Sequence, residues 1–252
     1  MLDDMINKHL DQIKTYPKLL WFMILSYAML ISISNWFDVR LIEIFGLAIS
    51  PGTLVFPITF LLSDIITEVY GYKNARLAIW SAFLFNILFI LFGQIITHLP
   101  SPHFASDNSA FDKMLHINFF VIIGSFLSYI ISEPLNSIAV SKLKVFFEGK
   151  YMAIRFVLST IISSGIDSFI FTAIAFGHLY PMTHVIKLML NIWVIKVIIE
   201  IIGLSFSIRT ANIIKKIEGL DIYDINTNYN LFKINATYDT TNNKYSSKRS
   251  IQ

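Results

Sequence analysis

Six stretches of this chain are apolar over the length that a bilayer demands: Leu19 to Phe37, Thr53 to Tyr70, Ala75 to Thr97, Asn118 to Val140, Met152 to Phe176 and Val185 to Ile208. A hydrocarbon core about 30 Å thick is crossed by about 20 helical residues rising about 1.5 Å each. The expected fold class is therefore all-α, a polytopic membrane protein with six transmembrane helices as one domain over residues 1–216. Residues 217–252 turn to Asn, Thr, Tyr and Lys and end in "TTNNKYSSKRSIQ". That composition buries too little apolar surface to fold alone, so a flexible polar tail is expected.

Composition narrows the function classes. With 55% apolar and only 15% charged residues, lipid is the solvent this chain suits. The net charge of +3 is spread over short clusters of Lys and Arg, which argues against nucleic acid as a partner. There is no cysteine, which excludes disulfides and thiol chemistry, and the six histidines (His9, His98, His103, His116, His178, His184) fall outside the apolar spans. A zinc site within the membrane has no ligands, and no cofactor is called for. Asp3 and Asp4 stand where a secretory signal would be basic, so the first apolar run is expected to be a retained helix.

Basic residues set the expected orientation. With the N-terminus inside, Lys8, Lys14, Lys18, Lys73, Arg76, Lys142, Lys144, Lys150, Arg155, Arg209, Lys215 and Lys216 are cytoplasmic, against Arg40, Lys113 and Lys187 outside. This bias puts both termini in the cytoplasm of a cell inner-membrane, multi-pass protein, with Trp21, Trp36 and Trp80 at the interfaces and Trp193 either there or in the interior. Asn235-Ala236-Thr237 has the form of a glycosylation acceptor, but its cytoplasmic position makes it a chance match.

Ionisable groups inside a span cost a few kcal/mol each on insertion scales and normally face the bundle interior. The chain carries Asp64, Glu68, Glu133, Asp167, Lys196 and Glu200, with Asn35, Asn86, Gln94 and Asn136 as neutral companions. Counting residues to the cytoplasmic helix ends places Asp167 and Lys196 at about 18 Å, Glu133 and Glu200 at about 12 Å, and Asp64 and Asn136 at about 8 to 9 Å. Asp167 and Lys196 are thus placed to pair near the midplane, above an acidic vestibule, with Asn35 toward the outer mouth.

Helix faces agree. Thr53, Pro57, Phe60, Asp64 and Glu68 step by three or four along one face, and the ring of Pro57 frees the carbonyl of Thr53. Ser125, Ser128, Ser132 and Asn136 line a second helix, with Pro134 directly after Glu133, and Arg155, Ser159, Ser163 and Asp167 line a third. Plainer readings compete: Glu68 pairing with nearby Lys73 or Arg76, the serines serving close helix packing, and Asp167 with Lys196 forming a structural ion pair. No basic residue lies within a turn of Asp64, so its plain reading is the weakest.

These residues also carry a family likeness. "GTLVFPITFLLSDIITEVYGYKNAR", from Gly52 to Arg76, resembles the second-helix signature of the queuosine precursor transporters, a branch of the vitamin uptake transporter group. Arg155, Ser159, Thr160 and "GIDSFIF" from Gly165 resemble that family's fifth-helix motif, and Asn35, "SEPLN" from Ser132 and Lys196 follow its pattern in order. The likeness runs over about residues 20 to 210. Glu133 stands where the pattern has glutamine and Ser168 where threonine is commoner, so the vestibule is more acidic here; the tail after Lys216 has no counterpart.

The resemblance implies import of a 7-deazaguanine base such as the cyano or aminomethyl form, or queuine, bound by Asn35, Asp64, Glu68, Glu133, Asn136, Ser159, Asp167 and Lys196. A guanine-like edge offers paired N–H donors to a buried carboxylate, from Asp64 or Asp167, and its plane stacks on Phe or Tyr. Expected partners are that nucleobase-like molecule and the bilayer, without nucleic acid and with room for a homodimer. No G-x-x-x-x-G-K-[ST] loop is present, so energy comes from an ion gradient, a partner or metabolic trapping. The alternative is a membrane substrate-binding subunit of an energy-coupled uptake complex. An intramembrane enzyme is disfavoured because H-E-x-x-H and G-x-S-x-G are both missing, and a passive structural protein by the number of buried charges.

Overall fold

The computed structural model describes residues 17–38, 40–100, 102, 108–233 and 235–245. Asp3, Asp4, Lys8, His9, Lys14, His103 and residues 246–252 lie outside the described residues, as does the side chain of His116. Six long helices follow in order: α1 (Leu20–Phe37), α2 (Gly52–Tyr70), α3 (Tyr72–Thr97), α4 (Asn108–Phe146), α5 (Met152–Phe176) and α6 (Met182–Glu218). Between α1 and α2 lies a small antiparallel hairpin, β1 (Ile42–Ile44) and β2 (Leu47–Ile49), and a 3-10 turn spans Thr240–Asn242.

The molecule is all-α and polytopic. Helices α1 to α5 each have the length and apolarity to cross a membrane; α6, the sixth expected span, is not among those five and carries Lys196 and Glu200 mid-helix. The helices pack around α2, whose span is 78% buried, whereas that of α3 is only 17% buried. Large apolar side chains therefore face outward on α3, including Leu84, Phe85, Leu88 and Phe92. On a water-soluble protein such a face would be a liability, but against acyl chains it carries no cost.

Two helices run past the expected limits. The fourth span, expected over Asn118 to Val140, is part of the 39-residue α4, and the sixth, expected over Val185 to Ile208, is part of the 37-residue α6. A helix of 39 residues is longer than the hydrocarbon core requires, and its charged ends are good helix formers that continue into water. The extensions bring Lys144 and Lys215, two supposed loop cations, into the core of the bundle end.

The stretch after Lys216 departs from the flexible tail that its composition suggested. Its described residues fold back on the basic end of the bundle: Asp224 accepts hydrogen bonds from the amide of Tyr72 (3.0 Å), from Ser141 (2.6 Å) and from Tyr238 (2.5 Å). Gly71, the one residue between α2 and α3, has φ +80°, and a Cβ there would collide with Tyr238 and Ile222. Order arises here from tertiary partners, which composition does not register. At the same end the Glu218 carboxylate accepts from the amides of Lys18 (2.9 Å) and Leu19 (2.7 Å), supplying the first turn of α1 with acceptors.

At the other end Asp38, just beyond α1, accepts from the amide of Gly52 at the start of α2 (2.7 Å). A Cβ on Gly52 would overlap both Asp38 oxygens and the Ser34 hydroxyl, so glycine is needed for this approach. Burial raises the Asp38 pKa to about 6, with the Gly52 hydrogen bond working against it. Because the folded value lies above the unfolded one, stability is greatest below about pH 4, falls as pH rises toward about 6, and levels off, a change on the order of 3 kcal/mol. Asp38→Asn is expected to remove that slope and to resist unfolding better than the parent at pH 7. Unfolding in micelles from pH 4 to 8 checks it; parallel curves for the two proteins would refute it.

Candidate functional site

The polar side chains of the spans converge in layers between α2, α4, α5 and α6. At the basic end sits an ion cluster. Glu68 of α2 is buried and accepts from the two terminal nitrogens of Arg155 of α5 (2.5 and 3.1 Å) and from the Lys215 ammonium of α6 (2.6 Å). Lys144 of α4 lies 3.7 Å from Glu68 and, like Lys215, 2.8 Å from Asp221 beyond α6. Three cations thus share two anions, and the Lys144 ammonium also donates to the carbonyls of Glu68 (2.5 Å) and Ile222 (2.7 Å). The plain reading of Glu68 named the wrong partners: Arg76 instead donates to the carbonyls of Asn228, Asn230 and Asn235, and Lys73 to that of Thr237.

One turn deeper, Asp64 of α2 accepts from the Asn136 amide of α4 (2.6 Å), whose own oxygen accepts from Ser163 of α5 (3.1 Å). Ser163 also donates to the Ser159 carbonyl (2.8 Å), and the Ser159 hydroxyl donates to the Phe156 carbonyl (2.8 Å), within its own helix. Among the described residues the second Asp64 oxygen makes no hydrogen bond, nor does either oxygen of Glu133 on α4 or of Glu200 on α6, although the hydroxyls of Tyr27 and Ser63 interact with the Glu133 carboxyl. Asp64, Glu133 and Glu200 lie within coulombic range of one another. Five carboxylate oxygens from three helices are therefore buried and unsatisfied, which native interiors avoid outside functional sites.

Beyond these carboxylates, Asp167 of α5 and Lys196 of α6 form an ion pair at 2.5 Å, and Ser132 donates to the other Asp167 oxygen at 3.3 Å. The Lys196 ammonium also sits 4.4 Å above the Phe56 ring. Trp193, three residues earlier, belongs to the interior, donating to the Ile161 carbonyl of α5 (3.1 Å). Farthest from the basic end, Asn35 of α1 donates to Asn86 of α3 (3.1 Å) and accepts from Ser125 of α4 (2.5 Å).

The eight residues singled out from the sequence thus separate. Asp64, Glu133, Asn136, Asp167 and Lys196 meet where the four helices join; Asn35, Glu68 and Ser159 have their polar atoms engaged by neighbouring helices or by their own. The site set omitted Glu200, although its place in a span signalled it. Asp221 and Asp224 were missed, and the signal available was "GLDIYDIN", two acids and a tyrosine after a helix-ending glycine. Asp64, Asp167 and Lys196, each held by a buried partner, can orient a polar planar molecule, and the oxygens of Glu133 and Glu200 can accept its N–H groups.

A protein-family profile described as "Putative vitamin uptake transporter" matches residues 50–210. A Bacillus subtilis protein named "Probable queuosine precursor transporter" is 27% identical over 179 residues, which cover 70% of this chain and 77% of that protein. A Haemophilus influenzae protein of the same name is 28% identical over 131 residues, covering 50% of this chain and 51% of that protein. No solved structure matches the chain.

Proposed function

This chain belongs to the vitamin uptake transporter family, transporters and not enzymes, and from that premise we propose that it imports a queuosine precursor of the 7-deazaguanine class. The observation that carries this reading is the set of unpartnered oxygens on Asp64, Glu133 and Glu200. Glu133 offers both oxygens, enough to accept the ring N–H and the exocyclic amine of a guanine-like edge together, and Asp64 offers one more. Asn136 and the Asp167–Lys196 pair border the same junction. Asn35, Glu68 and Ser159, which the resemblance implies as substrate contacts, serve in this reading to hold the helices that present these oxygens. A cationic aminomethyl substituent suits the excess of acid.

We place both termini on the cytoplasmic side of the inner membrane, in keeping with the distribution of Lys and Arg. The test is salvage in cells that cannot make the precursor. With this protein and external 7-deazaguanine base, queuosine returns to tRNA; without either it does not. No return in cells that demonstrably insert the protein would remove the substrate assignment. If return requires a co-expressed ATPase, the chain is instead the substrate-binding subunit of an energy-coupled complex.

A further inference from the structure

Away from the helix junction, a cavity of about 520 Å3 opens between α3 and the folded-back segment, lined by Leu77, Trp80, Phe83, Leu84 and Phe232 together with Arg76 and Lys233. Its size is that of a small-molecule site. The far wall is held by the Trp80 indole, which donates to the Leu231 carbonyl (2.7 Å), and by Phe232, whose ring centre lies 5.9 Å from that of Trp80.

The charges of this cavity are unbalanced. Arg76 is 2% exposed, and its hydrogen bonds run to three backbone carbonyls, of Asn228 (3.3 Å), Asn230 (2.6 Å) and Asn235 (2.8 Å). Carbonyls solvate a guanidinium but do not neutralise it, and among the described residues no carboxylate forms an ion pair with Arg76 or Lys233. Lys233 is exposed beside them. The open side coincides with the outward face of α3, and Phe232 is 77% exposed. A second cavity, of about 210 Å3 near Trp36, Phe92 and Phe111, has an apolar wall and no charged lining residue, as a plain acyl-chain crevice would.

We propose that the larger cavity binds an anionic phospholipid, its phosphate offsetting Arg76 and Lys233 and an acyl chain lying along Leu77, Trp80, Leu84 and Phe232. An apolar wall beside two cations that form no ion pair among the described residues matches such an amphiphile in both parts. The lipid bridges α3 and residues 228–235 and fastens the folded-back segment to the bundle. None of its contacts is shared with the transport site, so loss of queuosine salvage leaves this inference standing.

The experiment uses the full chain purified in a neutral detergent. Phosphatidylglycerol is expected to survive as an adduct in native mass spectrometry and to raise Tm by several degrees, while phosphatidylcholine at the same concentration does neither. Lys233→Glu is expected to weaken the phosphatidylglycerol effect about thirtyfold, since each basic group near an anionic lipid contributes about 1 kcal/mol and reversal changes two charges. Lys150→Glu, an exposed lysine elsewhere with the same charge change, is expected to leave it intact, and Leu84→Trp, which fills the groove, to abolish it. Equal responses to the two lipids, equal weakening by the two lysine variants, the same shift from inorganic phosphate, or a lipid-free dimer that covers this face would each overturn the proposal.

Discussion

Glu68→Gln is expected to cost about 3–5 kcal/mol of stability, the range found when one partner of a buried charge pair is removed. The carboxylate is the common partner of Arg155 at 2.5 Å, Lys215 at 2.6 Å and Lys144 at 3.7 Å. Neutralising it leaves Lys144 of α4 and Lys215 of α6 with Asp221 alone and Arg155 of α5 with no carboxylate among the described residues. Glutamine keeps the shape and one acceptor oxygen, so the loss reports charge and not volume. The fraction folded after a heating series in micelles measures it. A variant within 1 kcal/mol of the parent would show that water enters the cluster freely, and that its four helices are held by apolar packing instead.

The second large effect is on transport. Asp64→Asn and Asp167→Asn are each expected to lower precursor uptake roughly 10- to 100-fold with membrane insertion preserved, since one charge-assisted hydrogen bond is worth about 1.5–3 kcal/mol. For Asp64 the loss is direct: the oxygen left unpartnered by Asn136 becomes an amide group that cannot supply charge. For Asp167 two causes compete, because removing it also strands the Lys196 ammonium that it holds at 2.5 Å. The double variant Asp167→Asn with Lys196→Met separates them. It removes both charges, so it is expected to recover the stability lost by Asp167→Asn alone while uptake stays lost. Recovery of uptake along with stability would make the pair a structural bolt and exclude Asp167 from the transport site.

The comparison of sequence with structure follows from the range of each interaction. The spans were legible because a run of about 20 apolar residues has few other uses. The Asp167–Lys196 pair was legible as well, because two charges at equal depth in a low-dielectric interior seek each other. The Glu68 partners were not, since the sequence offers Lys73 and Arg76 within two turns, whereas Arg155 and Lys215 lie 87 and 147 residues away. Only the packing of α2 and α5 on the shared neighbours α4 and α6 reveals them.

Short elements failed for a local reason. The hairpin Ile42–Ile49 was hidden among apolar residues, and its two-residue turn places Phe45 at φ +53°, a conformation that Asn or Gly would have advertised. Folding of the stretch after Lys216 was hidden by its polarity. Its side chains spend that polarity on the bundle: Asp221 on Lys144 and Lys215, Asp224 on Tyr72 and Ser141, and Tyr238 on the amide of Lys73. In a segment that docks on charged helix ends, few apolar residues do not mean little structure.

The most direct measurement is equilibrium binding of a radiolabelled 7-deazaguanine base to the purified protein and to its Glu133→Gln and Asp64→Asn variants in one detergent. Saturable binding by the parent, and its loss in both variants with unchanged thermal unfolding, is the predicted result. Undiminished affinity in the variant that combines the two substitutions would contradict the assignment of those buried oxygens to the substrate.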